Sequence, residues 1–362
     1  MKITGFDIYQ YTLPLKPGLT VLGNPLTQRE GLIIHLHGND KAEGFGEISP
    51  LPGFNKESLA EALEQAKECK QQLVGQNIPS GIEKLNGKFQ SWLGPMGLKP
   101  SVRFGVEMAV LNLLANAANV PLIQLISKEI HTQIRVNALL QGPKSTVLSQ
   151  AQALIDQGYK AIKLKATGKN IAENIDLVRS VNGVISGQAL LHVDVNQQWT
   201  LNEAIEFGNE VGLAAMDYIE EPFREIEEIP QFFMQTTIPV ALDESLQKFS
   251  FNDIKSIEGV DVLVLKPTFL GGIERTWDWM NHARRFALET VISSSFETGV
   301  GLLALANLSG ATYRETTAGL DTLKWFENDL LKGGLEIHKG KMNITGRLLH
   351  QDNLNHQYMR AV

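Results

Sequence analysis

From Ile134 onward the chain repeats one hydrophobic pattern. Short runs of aliphatic and β-branched residues alternate with longer stretches whose apolar residues recur at helical spacing. The runs are IRVNALL, AIKLKA, LLHVDVN, MDYIEEP, PVALDES, DVLVLKP and TVISSSFE, with an eighth near AGLDTLKWF. Their spacing of roughly 20–30 residues is that of βα units in parallel sheets. The pattern therefore predicts a (β/α) barrel. A doubly wound open sheet is the alternative, but no GxGxxG follows an early strand.

The first part of the chain has a different pattern. ITGFDIYQYTLPL and GLIIHLHGNDKAEGFGEISP predict antiparallel strands, joined by a Gly- and Pro-containing loop around Lys16 to Thr27. ESLAEALEQAKECKQQLVG and SVRFGVEMAVLNLLANAAN predict helices. Near the end, LEIHKGKMNITGRLL is again strand- and turn-like, and we expect it to return to this first unit. The sequence thus predicts an α+β unit before the barrel.

Charged residues share one side of the predicted barrel strands. Side chains in a parallel barrel alternate between the interior and the helix layer. With Ile162 and Leu164 toward the helices, the charged positions point inward near the C-terminal strand ends, where barrel active sites lie. These inward positions are Lys163, Lys165, His192, Asp194, Asn196, Glu220, Asp243 and Lys266. Any one of them could simply belong to a solvated face, a helix cap or a strand end. Together they indicate a site, because inward charges are costly unless paired or bound to metal.

Three of these residues predict a metal centre. Asp194, Glu220 and Asp243 come from neighbouring strands and offer carboxylate oxygens. Hard oxygen ligands without a thiolate or histidine cluster favour Mg²⁺ over Zn²⁺, and Mn²⁺ can substitute.

The lysines flank these ligands. Lys163 and Lys165 lie on the strand before them and Lys266 on the strand after them. A neighbouring ammonium group and a dication both disfavour protonation of Lys165, so we expect Lys165 to act as a base. Lys163 would disfavour the protonated form of Lys165 and hold an anion.

The order of these residues resembles the enolase superfamily, specifically its muconate-lactonizing subgroup. The matching elements are Lys163-Leu164-Lys165, Asp194-Val195-Asn196, Glu220, Asp243-Glu244 and Lys266. The resemblance covers nearly the whole chain and implies an α/β fold, a (β/α)7β TIM-like barrel with an α+β capping domain. We expect the cap over residues 1–125, completed by about 328–362, and the barrel over 126–327. The resemblance also implies removal of a proton α to a carboxylate, with Mg²⁺ stabilising the ene-diolate.

Further stretches resemble one family within that subgroup, the o-succinylbenzoate synthases. GEISPLPGFNKESL is similar to their cap loop, VISSSFETGVGLLALANLSG to their seventh-strand segment, and SVRFGVEMA to one of their helices. The resemblance implies Mg²⁺-dependent dehydration of 2-succinyl-6-hydroxy-2,4-cyclohexadiene-1-carboxylate to o-succinylbenzoate in menaquinone biosynthesis. Lys165 would be the base, Lys266 a stabilising cation, and Lys163 a contact for the carboxylate.

The same resemblance implies a set of supporting residues. Asn196 and Glu244 would orient the lysine and the ligands. Contacts to the succinyl end would come from Leu51, Pro52, Gly53, Phe54, Ser293 and Ser295. A purely structural role stays open for both stretches, because PLPG can be a simple turn and the serines can cap the following helix.

Three related activities remain alternatives. N-succinylamino acid racemases keep the same lysines, so the KxK motif does not separate them, and muconate cycloisomerases belong to the same subgroup. Dipeptide epimerases are disfavoured because SSSFE lacks their acidic DxD-type motif. A non-catalytic barrel is also disfavoured, because every expected ligand and lysine is present.

Composition limits the partners. The 362 residues are 43% hydrophobic with a formal net charge of −7 and no basic run, which argues against nucleic acid. No apolar stretch approaches the roughly 18 residues of a membrane span. The single cysteine, Cys69, excludes an internal disulfide and fits a reducing cytoplasm. We expect a small-molecule carboxylate as the partner, and the sequence leaves a homo-oligomer open.

Overall fold

An antiparallel sheet carries the N-terminal part of the chain. The structure, a computed structural model, describes residues 1–21, 23–168, 170–312 and 316–362. The first strands are β1 (Ile3–Pro14), β2 (Thr20–Val21), β3 (Asn24–Pro25), β4 (Gln28–Gly38) and β5 (Glu43–Ile48). β1, β4 and β5 are successive neighbours in what we call the cap sheet, and a fourth strand from the C-terminus borders β1. β2 and β3 form a small hairpin in the predicted loop.

Four helices follow this sheet in the chain. They are α1 (Leu59–Leu73), α2 (Lys88–Leu93), α3 (Pro100–Ala118) and α4 (Leu122–Ile126). α1 begins at a capping box in which Ser58 and Glu61 each accept a backbone N–H. α3 is buried on nearly every side, against β5 and against the barrel. It approaches β5 so closely that a Cβ on Gly44 or Gly46 would stand 2.2 or 1.9 Å from the α3 backbone.

The second sheet is the predicted barrel. Its region contains β6 (Gln133–Arg135), β7 (Ala138–Leu140), β8 (Ala161–Lys165), β9 (Leu190–Asp194), β10 (Tyr218–Glu220), β11 (Val240–Leu242), β12 (Val260–Leu265) and β13 (Glu289–Ile292). β7 to β13 lie in chain order and pair in parallel. Residues 318 and 319 bridge Val136 on one side and Ser293 on the other. They supply the eighth element, which joins the two edges of the curled sheet.

Helices connect the barrel strands, as the alternating pattern predicts. They are α5 (Lys144–Asp156), α6 (Ile171–Ile185), α7 (Leu201–Val211), α8 (Ile229–Thr236), α9 (Phe251–Ile254), α10 (Pro267–Leu270), α11 (Ile273–Arg285) and α12 (Gly299–Gly310). The prediction of a TIM-like barrel with an α+β cap is therefore confirmed. Among the described residues, no helix combines the length and apolar character of a membrane span.

The barrel strands bury both of their faces, and the two faces pack into separate cores. Tyr218, Ala241, Val262, Val264 and Val291 form a small apolar cluster of their own. The residues alternating with them, such as Ile219 and Leu263, join the large core shared with the helices. This division matches the predicted parity, in which the charged positions share the inner side.

The C-terminal segment differs from the expectation. Its strands are β14 (Ile337–His338), β15 (Lys341–Asn343) and β16 (Met359–Ala361). The β14–β15 hairpin pairs with β6, beside the barrel, whereas Leu349 at the end of the stretch accepts a hydrogen bond from Asn116 Nδ2 of α3. The expected return to the cap therefore holds for the end of this stretch and is wrong for its hairpin. Of these three strands, β16 is the one that reaches the cap sheet, where it pairs with β1. IRVNALL is correspondingly two strands, β6 and β7, and its alternation of apolar residues with Arg135 and Asn137 gives no sign of the change of partner.

Candidate active site

A cavity of about 780 Å³ lies at the C-terminal ends of the barrel strands. Lys165, Asn196 and Lys266 line it from the barrel, and Leu51 and Phe54 line it from the cap loop. Lys165 ends the second strand of the barrel and Lys266 follows the sixth. In a barrel of eight strands these two positions lie on opposite sides, so the lysines flank the cavity from both sides.

Buried carboxylates lie beside these lysines. Asp194 ends β9, Glu220 ends β10 and Asp243 directly follows β11, and each is at most 5% exposed. Lys163 Nζ is 2.7 Å from both Asp194 Oδ2 and Glu220 Oε1. Lys165 Nζ donates to Asp194 Oδ2 at 2.6 Å, and Lys266 Nζ pairs with Asp243 Oδ2. The six residues form one lysine–carboxylate cluster, as the parity argument predicted.

Burial and neighbouring charge act in opposite directions in this cluster. Burial, and then the charge of Asp194, raise the pKa of Glu220 well above its usual range. Burial also acts to raise the pKa of Asp194, but the ammonium groups of Lys163 and Lys165 outweigh it and the pKa is lowered. For Lys163, burial acts to lower the pKa, yet the surrounding carboxylates raise it well above normal.

The donor set fits a hard divalent cation. Glu244 is a fourth carboxyl group beside the cluster, and its Oε2 is buried without a hydrogen-bond partner among the described residues. Burial, followed by repulsion from Asp243 and Asp194, raises the pKa of Glu244 to about 7. Three lysines thus face four carboxyl groups, and all four offer oxygen ligands. Added positive charge would relieve this repulsion, and Mg²⁺ prefers such ligands.

Asn196 links Lys165 to Glu244. Lys165 Nζ donates to Asn196 Oδ1 at 2.6 Å, and Asn196 Nδ2 donates to Glu244 Oε1 at 2.7 Å. Asn196 has a φ of 49°, a left-handed conformation that asparagine tolerates better than most residues. This backbone turn points the side chain back toward the lysine. The expected orienting roles of Asn196 and Glu244 are consistent with these contacts.

Aromatic rings hold the second lysine. Lys266 Nζ lies 5.6 Å from the centre of the Phe54 ring and 5.5 Å from that of Phe269. The two rings are parallel, with centroids 5.5 Å apart. Cation–π attraction therefore favours a positively charged Lys266 and ties it to the cap loop.

Only some of the residues expected to contact the succinyl end line the cavity. Leu51, Phe54 and Ser295 line the cavity, whereas Pro52, Gly53 and Ser293 are not among its lining residues. Ser293 instead forms a backbone bridge with Gly319. Ser294, which the sequence reasoning omitted, lines the cavity in its place. Lys163 is likewise not a lining residue and contacts the carboxylates from within the barrel.

Sequence reasoning missed two further residues. Gln141 follows β7, lines the cavity, and has a buried Nε2 without a partner in the described part of the chain. The alternation of side chains along that strand could have identified it. Arg29 is 1% exposed and donates to the carbonyl oxygens of Ser49, Pro50, Ser295 and Phe296. Nothing in TQREG indicates a buried arginine, because its partners are distant in sequence.

Comparisons with known proteins match both parts of the chain. The family described as "Enolase C-terminal domain-like" matches residues 146–347, and "MenC, N-terminal domain" matches residues 3–113. The o-succinylbenzoate synthase of Aliivibrio salmonicida is 31% identical over 331 residues, covering 89% of this chain and 91% of that protein. Protein PHYLLO of Arabidopsis thaliana is 29% identical over 93% of this chain, which spans only 22% of that larger protein.

Solved structures show the same fold at low identity. An N-succinyl Arg/Lys racemase from Bacillus cereus has a TM-score of 0.88 at 21% identity, with both chains fully covered. A dipeptide epimerase from Enterococcus faecalis, solved with Mg and a dipeptide, has a TM-score of 0.86 at 21% identity, covering 98% and 99% of the chains. The sequence relatives, the two matched domains and the barrel together decide the family. The chain belongs to the enolase superfamily, in its o-succinylbenzoate synthase family, and is an enzyme of the lyase class.

Proposed function

We propose that the protein dehydrates 2-succinyl-6-hydroxy-2,4-cyclohexadiene-1-carboxylate to o-succinylbenzoate, a step of menaquinone biosynthesis. The observation that carries this proposal is the pair Lys165 and Lys266, which line one cavity from opposite sides beside buried carboxylates. The identity to named synthases over nearly the whole chain supports the same reaction.

Lys165 is the proposed base. In its deprotonated form, the amine of Lys165 takes the proton from the ring carbon that bears the carboxylate. The electron pair of that C–H bond then expels the hydroxyl group from the neighbouring carbon. The proton held by Lys165 leaves with this hydroxyl as water, the ring becomes aromatic, and the amine is neutral again. Asn196 holds the Lys165 side chain in position for both proton transfers.

Asp194, Glu220 and Asp243 are the residues we propose to hold Mg²⁺, with Mn²⁺ as a substitute. When bound, the cation supplies positive charge that stabilises the substrate carboxylate as the proton leaves. Lys163 lies against two of these ligands and keeps their oxygens oriented.

Lys266 is proposed as a fixed positive charge on the opposite face. Its contacts with Phe54 and Phe269 favour the ammonium form, which stabilises an anion but does not accept a proton. The cap loop at Leu51 and Phe54, together with Ser294 and Ser295, would contact the succinyl group. We also propose a cap over 1–125, completed by about 328–362, and a barrel over 126–327; within 328–362, β16 pairs with the cap sheet and the β14–β15 hairpin is the exception, because it pairs with β6.

N-succinylamino acid racemisation is the second candidate. A racemase needs a proton carrier on each face of the substrate, and the opposed lysines offer that arrangement. Both reactions need Lys165 to transfer a proton. Racemisation also needs Lys266 to transfer a proton, whereas dehydration needs only its positive charge. Lys266→Ala should abolish racemisation but only weaken dehydration, because the synthase needs a charge there and not a proton.

The test follows the ultraviolet band of the cyclohexadiene substrate with purified protein and Mg²⁺. Loss of the band that requires both protein and metal supports the proposal. An unchanged band with folded, metal-loaded protein contradicts it. Proton exchange of N-succinylamino acids in D₂O, measured on the same preparation, would then identify a racemase.

A further inference from the structure

The cap sheet carries a group of side chains of the types that ligate metals, far along the chain from the barrel residues. Asp7 lies on β1 and pairs across the sheet with His35 on β4. His37, two residues further along β4, pairs with Glu43 on β5. Since alternate residues of a strand share a face, all four side chains project from one side. The opposite side carries Gly44 and Gly46, against which α3 packs.

The ligand atoms of three of these residues are already close together. One ligand atom each from Asp7, His35 and His37 lies within 4.8 Å of the other two. His37 Nε2 is 2.8 Å from Asp7 Oδ2, and the two imidazole rings have centroids 4.1 Å apart. A tetrahedral ion with bonds of about 2.0–2.1 Å separates its ligand atoms by roughly 3.4 Å. The present separations, all within 4.8 Å, therefore differ from that spacing by at most about 1.4 Å.

Neighbouring residues hold both rings in place. A Cβ on Gly5 would stand 2.7 Å from His37 Cδ2, so this glycine gives the His37 ring the space to lie over β1 toward Asp7. His35 stacks on Phe45 with ring centroids 4.2 Å apart, and its Nε2 is 3.2 Å from Glu43 Oε2. A carboxylate that orients a histidine ring is the usual support of a metal ligand.

A simple ion pair explains only part of this arrangement. His37 Nε2 lies against Asp7 Oδ2, but the His37 ring also lies against the His35 ring, a contact that a pair with Asp7 does not require. Burial, and then the nearby His37, lower the pKa of His35. A lower pKa favours the neutral imidazole, which is the form that binds metals. Lys70 Nζ is 3.9 Å from Asp7 Oδ1 and leaves Oδ2 on the histidine side.

We propose that Asp7, His35 and His37 bind one divalent transition-metal ion of the Zn²⁺ type, with Glu43 orienting His35. Two imidazoles and one carboxylate suit Zn²⁺, Ni²⁺ or Cu²⁺ and not Mg²⁺, which prefers oxygen ligands alone. The side chains of Asp7 and His37 are 48% and 40% exposed, so an ion can enter from solvent. The ion would tie β1 to β4 and stabilise the cap sheet. This site is independent of the barrel reaction.

The test titrates the protein with Zn²⁺ by calorimetry in excess Mg²⁺, which keeps the oxygen ligands of the barrel occupied. Wild-type protein should bind one Zn²⁺ that is weakened at least about tenfold in His37→Ala and in Asp7→Asn. Both positions are half-exposed, so the variants should fold, and circular dichroism checks this. His338→Ala, an exposed histidine of the C-terminal segment, is the matched control and should bind as wild type does.

A second measurement, of the melting temperature, tests the same site without relying on the binding affinity of a single variant. Zn²⁺ in excess Mg²⁺ should raise the melting temperature of wild-type protein and of His338→Ala, but not that of His37→Ala. Dehydration in Mg²⁺ alone should be unchanged by His37→Ala, so failure of this site leaves the barrel proposal intact. Absence of Zn²⁺ binding in wild-type protein, or equal affinity in wild type, His37→Ala and Asp7→Asn, would overturn the proposal.

Discussion

Lys165 donates a hydrogen bond to Asn196 at 2.6 Å, and this contact continues through Asn196 to Glu244. The asparagine touches the proposed base without being a member of the carboxylate set. A substitution at Asn196 therefore changes how the Lys165 amine is positioned without changing the charge around that amine.

Replacing Asn196 with alanine should lower kcat by about 10- to 100-fold while KM changes little. The amine of Lys165 loses a positioning partner, but Asp194, Glu220 and Asp243 are retained. Steady-state kinetics with the diene substrate measure both constants. Asn202→Ala, on the exposed side of α7, is the control and should match wild type. An Asn196→Ala enzyme with wild-type kcat would remove Asn196 from the proposed mechanism.

Arg29→Met should lower the free energy of unfolding by about 3 kcal/mol or more, because it leaves buried carbonyl oxygens without a donor. The same change should raise KM, since Arg29 ties residues 49 and 50 of the cap to residues 295 and 296 of the barrel. Urea unfolding and kinetics measure the two effects. Arg29→Lys keeps the charge but not the forked geometry, so it should recover only part of the loss.

The control for Arg29 is Arg360→Met, an exposed arginine of β16. It should leave stability and KM unchanged. Equal effects of the two substitutions would mean that the buried contacts of Arg29 contribute nothing specific.

Asp329 should make stability depend on pH. Its Oδ1 accepts the Gly299 N–H at the start of α12, and burial raises its pKa from 3.8 to about 6. Below pH 3.8 the carboxyl group is protonated in both the folded and the unfolded protein. Between that value and about 6 only the unfolded chain loses the proton, so rising pH favours unfolding, and above about 6 the penalty is constant.

Asp329→Asn keeps an acceptor for Gly299 and has no proton to lose. Its stability relative to wild type should therefore rise across that pH window by at most about 3 kcal/mol. Urea unfolding of both proteins at successive pH values gives the difference. A difference that is constant with pH would contradict the raised pKa of Asp329.

Two glycines offer a matched pair for the packing of the cap. Gly46→Ala should destabilise the protein by at least about 2 kcal/mol, because its Cβ would meet the α3 backbone, which cannot move aside. Gly183 lies within α6, and none of the described residues would meet its Cβ. Gly183→Ala should therefore stabilise by about 0.5–1 kcal/mol. Thermal unfolding compares them, and effects of equal sign would disprove the close approach of α3.

The strand parity that predicted the lysine–carboxylate cluster rests on a strict geometric rule, so it succeeded for Lys163, Lys165, Asp194, Glu220, Asp243 and Lys266. Side chains alternate between the two faces only within a strand, so the rule does not apply beyond its last residue. β13 ends at Ile292, and the chain then turns through Phe296 at a φ of 60°, so alternation could not tell Ser293 from Ser294.

Long-range partners were also beyond the sequence pattern. Arg29 binds carbonyl oxygens, which every residue carries, so no motif distinguishes its partners. Asp7, His35 and His37 come together only through the pairing register of β1 and β4. A shift of one residue in that register would move the histidines relative to Asp7, and the sequence does not fix it.

The most direct test of the central claim compares single-turnover dehydration by wild type, Lys165→Ala and Lys266→Ala in Mg²⁺. If Lys165 is the base, Lys165→Ala should lose about 10²- to 10⁴-fold in rate, and Lys266→Ala should lose clearly less. A Lys165→Ala enzyme that dehydrates the diene at the wild-type rate would contradict the assignment of Lys165, and with it the proposed chemistry of the barrel.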